Sequence, residues 1–214
     1  MSASKSVVIS CAGIGSRLGL GTAKALLRID GISLIGLQLK LMSDIEDIRV
    51  VVGFQANDVI EEVLKYRNDA IFVYNHNYFE TKVGASFYLG ARDANELVIE
   101  YDGDLLVHPG DMQKCLHSDG EYIAYSEIES EDAVFVTTNE HGDVLGFSQK
   151  RGDYEWTGPV CIARDKVRYT SGSVYSQIED YLPMKGLKIR ARDIDTYDDY
   201  LRVVEFVKDW KWTV

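Results

Sequence analysis

Proline, cysteine, positive charge and long apolar runs are all scarce in this chain, and each scarcity argues against something. Three prolines in 214 residues leave long stretches free for regular strands and helices. The three cysteines, Cys11, Cys115 and Cys161, are odd in number and far apart, which argues against a disulfide framework and against a zinc site. Cys11 and Cys161 sit in strand-like runs and read as small buried hydrophobes. No apolar run approaches the ~20 residues of a membrane span, so no membrane partner is expected. The opening Met1-Ser2-Ala3-Ser4-Lys5-Ser6 holds no signal-peptide core, and the expected compartment is cytoplasmic. Lysine and arginine total 23 against 34 acidic residues, a formal net charge of −11, which argues against a nucleic-acid partner. Many of the acids, such as Glu127, Glu129, Glu131 and Asp132, read as decoration of a solvated edge.

What stands out against that background is Cys11-Ala12-Gly13-Ile14-Gly15-Ser16-Arg17-Leu18-Gly19, followed by Lys24. It comes directly after Val7-Val8-Ile9, which reads as a buried parallel strand. Glycines let backbone N–H groups turn towards an anion with no Cβ in the way. Arg17 offers a fork for phosphate oxygens and Lys24 a mobile point charge. Two cations around a glycine turn suggest a triphosphate. Neither of two familiar glycine motifs fits. A P-loop needs glycine before its lysine and a hydroxyl after it, whereas Lys24 lies between Ala23 and Ala25. A dinucleotide fingerprint needs its third glycine one residue earlier than Gly19.

The rest of the first half alternates in strand and helix periods. Strands are predicted at 7–10, 48–52, 70–74 and 97–101, and helices at 33–41, 58–66 and 85–91. The outline is an α/β fold with a doubly wound, mostly parallel sheet, whose ligands bind at the carboxyl ends of strands. The glycine loop, the 75–84 stretch and Asp102-Gly103-Asp104 all fall at such ends. Two carboxylates there can reach one hard cation, and the same Asp-Gly pair is also a common turn. A divalent cation would reconcile an acidic chain with a triphosphate. In the second half, short strands are predicted at 122–126, 133–137, 144–149 and 158–163, with 139–143 as a hairpin connection. A helix at 173–181, a last strand at 188–191 and a closing amphipathic helix at 197–210 complete the chain. Thr196 reads as that helix's N-cap, with Asp198 and Asp199 in its first turn. No repeat or linker interrupts residues 1–214, so one domain is expected.

The glycine loop resembles the signature of the nucleotidylyltransferases that make nucleoside-diphosphate sugars and alcohols, roughly A-A-G-x-G-[ST]-R-[LM]-G, a gap, then P-K-x-L. Gly13, Gly15, Ser16, Arg17, Gly19, Lys24 and Leu26 match; Cys11 replaces the first alanine, and Ala23 the proline. The resemblance implies a Rossmann-like sheet of the nucleotide-diphospho-sugar transferase type. Residues 1–112 would bind the nucleotide, and a short-stranded half, 113–214, the acceptor. It implies that Ala12, Gly13, Gly15 and Ser16 cradle the nucleotide. It makes Asp104 a magnesium ligand, with Asp102 behind it or in its place. Arg192-Asp193-Ile194-Asp195-Thr196 is similar to the family's second ligand stretch, which makes Asp195 the other metal residue. The 74–86 segment resembles that of the smaller cytidylyltransferases, placing Gly84, Ala85 and Ser86 near the base. Lys150 reads either as a solvated charge or as the family's lysine near the acceptor phosphate. Tyr78, Glu155 and Trp156 are candidates for the acceptor pocket, and aromatic rings there could take a quaternary amine.

The reaction so implied is attack of an acceptor phosphate on the α-phosphorus of an NTP, CTP being favoured, with pyrophosphate leaving. Arg17, Lys24 and Lys150 would be the catalytic side chains, and magnesium, with manganese as alternative, the cofactor. The nucleophile is already ionised at neutral pH, so His76, His108, His117 and His141 are not read as catalytic. The acceptor would be a small phosphorylated sugar or polyol, a phosphocholine-like compound or a phosphonate, for surface-glycan precursors. The protein would be a monomer or a homodimer. Two rivals stand beside this reading. One is an NADPH-dependent short-chain reductase, because Tyr78 and Lys82 spell its Tyr-x-x-x-Lys pair. The other is a non-catalytic nucleotide-sensing domain.

Overall fold

A computed structural model of the protein describes residues 4–129 and 133–210. Glu131 and Asp132, read above as a solvated edge, lie outside the described residues, as does the start of the chain. The elements follow in the order β1 (Lys5–Cys11), β2 (Arg28–Ile29), β3 (Ile32–Ser33), α1 (Leu34–Leu41), β4 (Asp47–Val52), α2 (Ala56–Leu64) and β5 (Ile71–Tyr74). Then come α3 (Val83–Ala91), β6 (Leu97–Asp102), β7 (Leu105–Val107), α4 (Pro109–His117) and β8 (Tyr122–Tyr125). The second half continues with β9 (Phe135–Thr138), β10 (Val144–Ser148), β11 (Tyr154–Glu155), β12 (Val160–Ala163) and α5 (Tyr175–Ile178). It closes with β13 (Gly186–Lys188), β14 (Ala191–Asp193) and α6 (Tyr197–Val207).

Seven strands form one sheet in the order β13-β8-β12-β6-β1-β4-β5, so strands from both halves of the chain share it. β6, β1, β4 and β5 are parallel, whereas β12 runs antiparallel to both β6 and β8. The sheet is apolar on both faces, as a doubly wound fold requires. Val7, Ile9, Val50 and Ile99 belong to one buried cluster with α1, α2, α4 and α6. Val8, Val51, Val98 and Val160 belong to the other, with α3 and α5. Gly90 lets α3 lie close on the sheet, because a Cβ there would come within 2.3 Å of Val8 Cγ1. Ser33 caps α1, its Oγ accepting from the Gly36 N–H at 3.2 Å.

Most predicted elements lie within two residues of their observed places, and three expectations need correction. The predicted strand 188–191 is two strands in two sheets, β13 beside β8 and β14 beside β7. Asp111 turns the chain between them: its Oδ2 accepts from the Arg190 N–H at 3.1 Å and from Arg190 Nε at 2.7 Å. The predicted helix 173–181 shrinks to the short α5 and a single 3₁₀ turn over Glu179–Tyr181. Helix α4 had no counterpart in the sequence reading; Pro109 starts it and His108 Nδ1 accepts from the Gly110 N–H at 3.3 Å. The 139–143 hairpin is as expected, with Asn139 Oδ1 accepting from the N–H groups of His141 and Asp143, each at 2.9 Å. Among the described residues no helix is long and apolar enough to cross a membrane.

Candidate active site

The glycine loop leaves β1 at the carboxyl end of the parallel strands and forms one wall of a cavity of about 250 Å³. Ala12, Gly13, Gly15, Ser16, Arg17 and Lys24 line that wall. Asp102, Gly103 and Asp104 at the end of β6 form the floor, with Asn75, Tyr78, Thr81, Lys82 and Ser86 opposite. Gly15 has φ +65°, and a Cβ there would sit 3.0 Å from Lys24 Cγ, so both the turn and the lysine's path need glycine. Gly103 is required by close approach. Its N–H donates to Ser10 O at 3.1 Å, and a Cβ would lie 2.7 Å from that oxygen and 2.8 Å from Cys11 Sγ.

Four charged side chains from three separate segments meet here: Arg17, Lys24 and Asp104 line the cavity, and Asp195, which is not on its lining, is joined to it through both cations. Lys24 Nζ donates to Asp104 Oδ2 at 2.6 Å and to Asp195 Oδ1 at 2.5 Å. Arg17 Nη1 lies 2.7 Å from Asp195 Oδ2. The Lys24 side chain is only 13 % exposed and that of Arg17 69 %, so the lysine is built into the site and the arginine rims it. Asp195 is brought here by the start of α6. Thr196 caps the helix reciprocally with Asp199, and the Ile194 N–H donates to Asp104 O at 3.1 Å, joining the two aspartate segments.

Acid outweighs base around Lys24. Burial pushes the Asp102 carboxyl up to about 8, helped by the charges of Asp104 and Asp193. Burial, then Asp104 and Asp195, push Asp193 up to about 7. Glu100, fully buried on β6, is pushed well above the carboxylate range by burial and by Asp102 and Asp104. Burial alone would lower the Lys24 ammonium, but Asp104 and Asp195 outweigh it and hold the group raised. Such a concentration of perturbed groups in a cleft is characteristic of a functional site.

Not every predicted residue faces the cavity. Of the three near the expected base site, Ser86 lines it, its Oγ accepting from Asn75 Nδ2 at 3.1 Å. Gly84 and Ala85 are packed inside. The Gly84 N–H donates to Gly172 O at 3.0 Å, its carbonyl accepts from Gln177 Nε2 at 2.8 Å, and the Ala85 N–H donates to Lys82 O at 3.2 Å. Lys150 is exposed in the turn after β10, its N–H donating to Ser148 Oγ at 3.1 Å. Trp156 packs edge-on to Phe147 and Tyr175, with ring centroids 5.5 and 6.2 Å away. Glu155 is buried, its Oε2 accepting from the Glu129 N–H at 2.8 Å, and it lines a smaller recess with Thr157, Arg192 and Asp193. Sequence reasoning missed Asn75 and Thr81 as cavity residues, and it missed Gln55, whose Oε1 accepts from the Ala23 N–H at 2.6 Å. The first two stood in the quoted 74–86 segment; nothing in the sequence marked Gln55.

The reductase reading fails on geometry. A Tyr-x-x-x-Lys pair works from adjacent turns of one helix, whereas Tyr78 lies in a turn and Lys82 only caps α3.

Known proteins bear on the family and the fold. The model of the MobA-like NTP transferase domain matches residues 7–168, more than half of the chain. No curated protein matches the sequence. Among solved structures, the inositol-1-phosphate CTP transferase from T. maritima superposes with a TM-score of 0.81 at 19 % identity, covering 100 % of both chains. The CTP:phosphocholine cytidylyltransferase from Streptococcus pneumoniae gives 0.77 at 18 % identity, over 95 % of this chain and 99 % of that one. A putative glucose-1-phosphate thymidylyltransferase from Bacillus anthracis gives 0.78 at 15 % identity, over 99 % and 98 %. At such identities these structures establish the fold. The family match establishes the rest: the chain belongs to the MobA-like NTP transferase domain family, a family of nucleotidyltransferases.

Proposed function

We propose that this protein transfers a nucleoside monophosphate, CMP by preference, from an NTP to a small phosphorylated acceptor, releasing pyrophosphate. The observation that carries the reading is the cluster of Lys24, Arg17 and Asp104 on the lining of the glycine-loop cavity, with Asp195 paired to both cations. An acceptor phosphate oxygen forms a bond to the α-phosphorus, and the bond from that phosphorus to the β-bridging oxygen breaks, the electron pair leaving with pyrophosphate. The nucleophile is already anionic, so the protein's work is positioning and neutralisation of charge. Backbone N–H groups of the glycine loop hold the phosphates, Lys24 stabilises charge at the α-phosphoryl group, and Arg17 contacts the leaving pyrophosphate from the rim. Ser86 and Tyr78, both on the cavity lining, are assigned to the base and the acceptor respectively. Residues 1–112 supply these nucleotide contacts. Lys150, Glu155 and Trp156, in 113–214, are assigned to the acceptor.

The residues present suit magnesium. Asp104 and Asp195 are hard oxygen donors, and magnesium is commonly held by one or two carboxylates plus substrate phosphates. Bound by Asp104 and Asp195, magnesium or manganese would neutralise phosphate charge as a Lewis acid.

The names of two structural neighbours, one acting on inositol-1-phosphate and one on phosphocholine, both with CTP, favour CTP and a polyol phosphate or phosphocholine-like acceptor. A pyrophosphate-release screen of four NTPs against phosphorylated sugars, polyols, amines and phosphonates tests the proposal. The expected result is turnover with CTP and one of the last three classes. Absence of pyrophosphate release from every pair would overturn it.

A further inference from the structure

The loop that carries Arg17 and Lys24 has no helix longer than a single 3₁₀ turn, and most residues from Gly13 to Thr22 are exposed or half-exposed. Its ends are gripped by a single three-residue segment, Gly53-Phe54-Gln55, where β4 passes into α2. At the start of the loop, the Phe54 N–H donates to Ala12 O at 3.1 Å. Gly53 makes that approach feasible, since a Cβ there would lie 2.9 Å from the same oxygen and 2.8 Å from Tyr78 Cβ. At the end of the loop, Gln55 Oε1 accepts from the Ala23 N–H at 2.6 Å, one residue before Lys24.

Two details mark the Gln55 contact as more than a surface hydrogen bond. Ala23 is 1 % exposed, so its N–H has little access to water. Gln55 itself sits at φ +49°, ψ +40°, a left-handed conformation uncommon for a residue with a side chain. That backbone aims the side chain across to the loop while the Gln55 carbonyl accepts from the Val59 N–H at 3.1 Å at the start of α2. Ala23 has φ −61°, the value proline would impose, followed by the 3₁₀ turn that starts at Lys24.

From this we infer that Gln55 is a positioning residue for Lys24. It holds the Ala23 peptide in a proline-like conformation and, with Phe54, fixes the width of the nucleotide loop. The inference rests on the nucleotidyltransfer reading for its kinetic consequence but not for the clamp itself.

Gln55→Gly is the decisive variant, because glycine accepts the left-handed backbone without strain and removes only the side chain. Exchange of the Ala23 amide hydrogen should quicken by about tenfold or more, reporting local opening. The kcat for pyrophosphate release should fall by about tenfold or more, the scale of a misplaced catalytic group, with acceptor KM unchanged. Gln55→Glu, which keeps the acceptor atom, should restore both. So should the double variant Gln55→Gly/Ala23→Pro in kcat, since proline fixes φ near −65° without needing a partner for an N–H. Amide exchange unchanged in Gln55→Gly overturns the clamp, whatever the wild-type protein transfers. Faster exchange with undiminished kcat, or a double variant as slow as Gln55→Gly, overturns the positioning role. A wild-type protein that releases no pyrophosphate from any pair refutes the transferase reading and leaves the amide result to decide the clamp.

Discussion

Two aspartate–cation clusters in this molecule use the same chemistry to opposite ends. At Asp111, each carboxylate oxygen is committed: Oδ1 accepts from Lys114 Nζ at 2.6 Å, and Oδ2 from the Arg190 N–H and Nε. Two cations serve one buried acid, and although burial acts to raise Asp111, hydrogen bonds from Arg190 and Lys114 pull it down to about 2. In the cleft two cations meet two acids. Lys24 and the rim residue Arg17 face Asp104 and Asp195, with Asp102, Asp193 and Glu100 close behind. At Asp111 hydrogen bonds hold one acid ionised between two cations; in the cleft burial and neighbouring carboxylates hold Asp102, Asp193 and Glu100 raised, so that Lys24 and Arg17 balance Asp104 and Asp195, and a divalent cation arriving with the nucleotide would take the place of Lys24 on those two carboxylates. The difference lies in the acids around each cluster, since the ion pairs themselves are equally short.

The largest effects should come from breaking the cleft cluster. Asp104→Asn or Asp195→Asn should lower turnover by about 10²–10³-fold, the scale of losing a group that stabilises developing charge, while the protein stays folded. Pyrophosphate release and melting measured on one preparation check this; normal turnover in either variant removes that residue from the reaction. Lys24→Ala should lower kcat by about 10²-fold, and Arg17→Ala, at the exposed rim, by about tenfold. An effect of either confined to KM would mean equal binding of ground and transition states.

A smaller change is expected at Trp156. Trp156→Ala should raise the acceptor KM several-fold and leave the choice of NTP alone; a changed NTP preference with unchanged acceptor KM would move the acceptor pocket elsewhere. The smallest kinetic effect should be at Asp111. Asp111→Asn should leave kcat unaltered and cost about 1–3 kcal/mol of stability at neutral pH, through weakened hydrogen bonds to Arg190. The sign follows from linkage. A carboxyl whose folded pKa is lowered to about 2 contributes fully above its unfolded value near 3.8 and loses that contribution as pH falls towards 2. The wild type should therefore lose its advantage over Asp111→Asn between about pH 4 and pH 2 in thermal melts.

The same contrast explains what could be read from the sequence. The cleft was legible where chemistry dictates residue type at fixed spacing. Gly15 must be glycine because of its backbone and of Lys24; Gly103 must be glycine because Ser10 O lies against it. Asp195 was legible only through the resemblance of its segment to the family's second ligand stretch, while the helix start behind it was visible from Thr196. The parallel strands were legible because burial on both faces makes them continuous apolar runs.

What was lost depends on contacts distant in sequence. The run at 188–191 has a strand's composition throughout, and only Asp111, 79 positions from Arg190, divides it. Helix α4 was hidden by a weakly patterned start at Pro109-Gly110 and by anchoring through side chains elsewhere. Ala23 stands where the resembling pattern has proline, and the residue that compensates, Gln55, carries no signal of its own. In the second half, Phe147 on β10, Trp156 just after β11 and Tyr175 on the short α5 meet in a packing that no local pattern announces.

The claim that Asp104 and Asp195 receive a cation with the nucleotide is tested most directly by calorimetric titration of CTP into the wild-type protein, in magnesium and again in excess chelator. The account predicts that affinity falls by at least about tenfold in chelator, because Lys24 must then serve both the phosphates and the Asp104 and Asp195 carboxylates with no cation between them. Equal affinity in the two buffers would contradict it, leaving Lys24, Asp104 and Asp195 as a salt bridge of the same kind as Asp111.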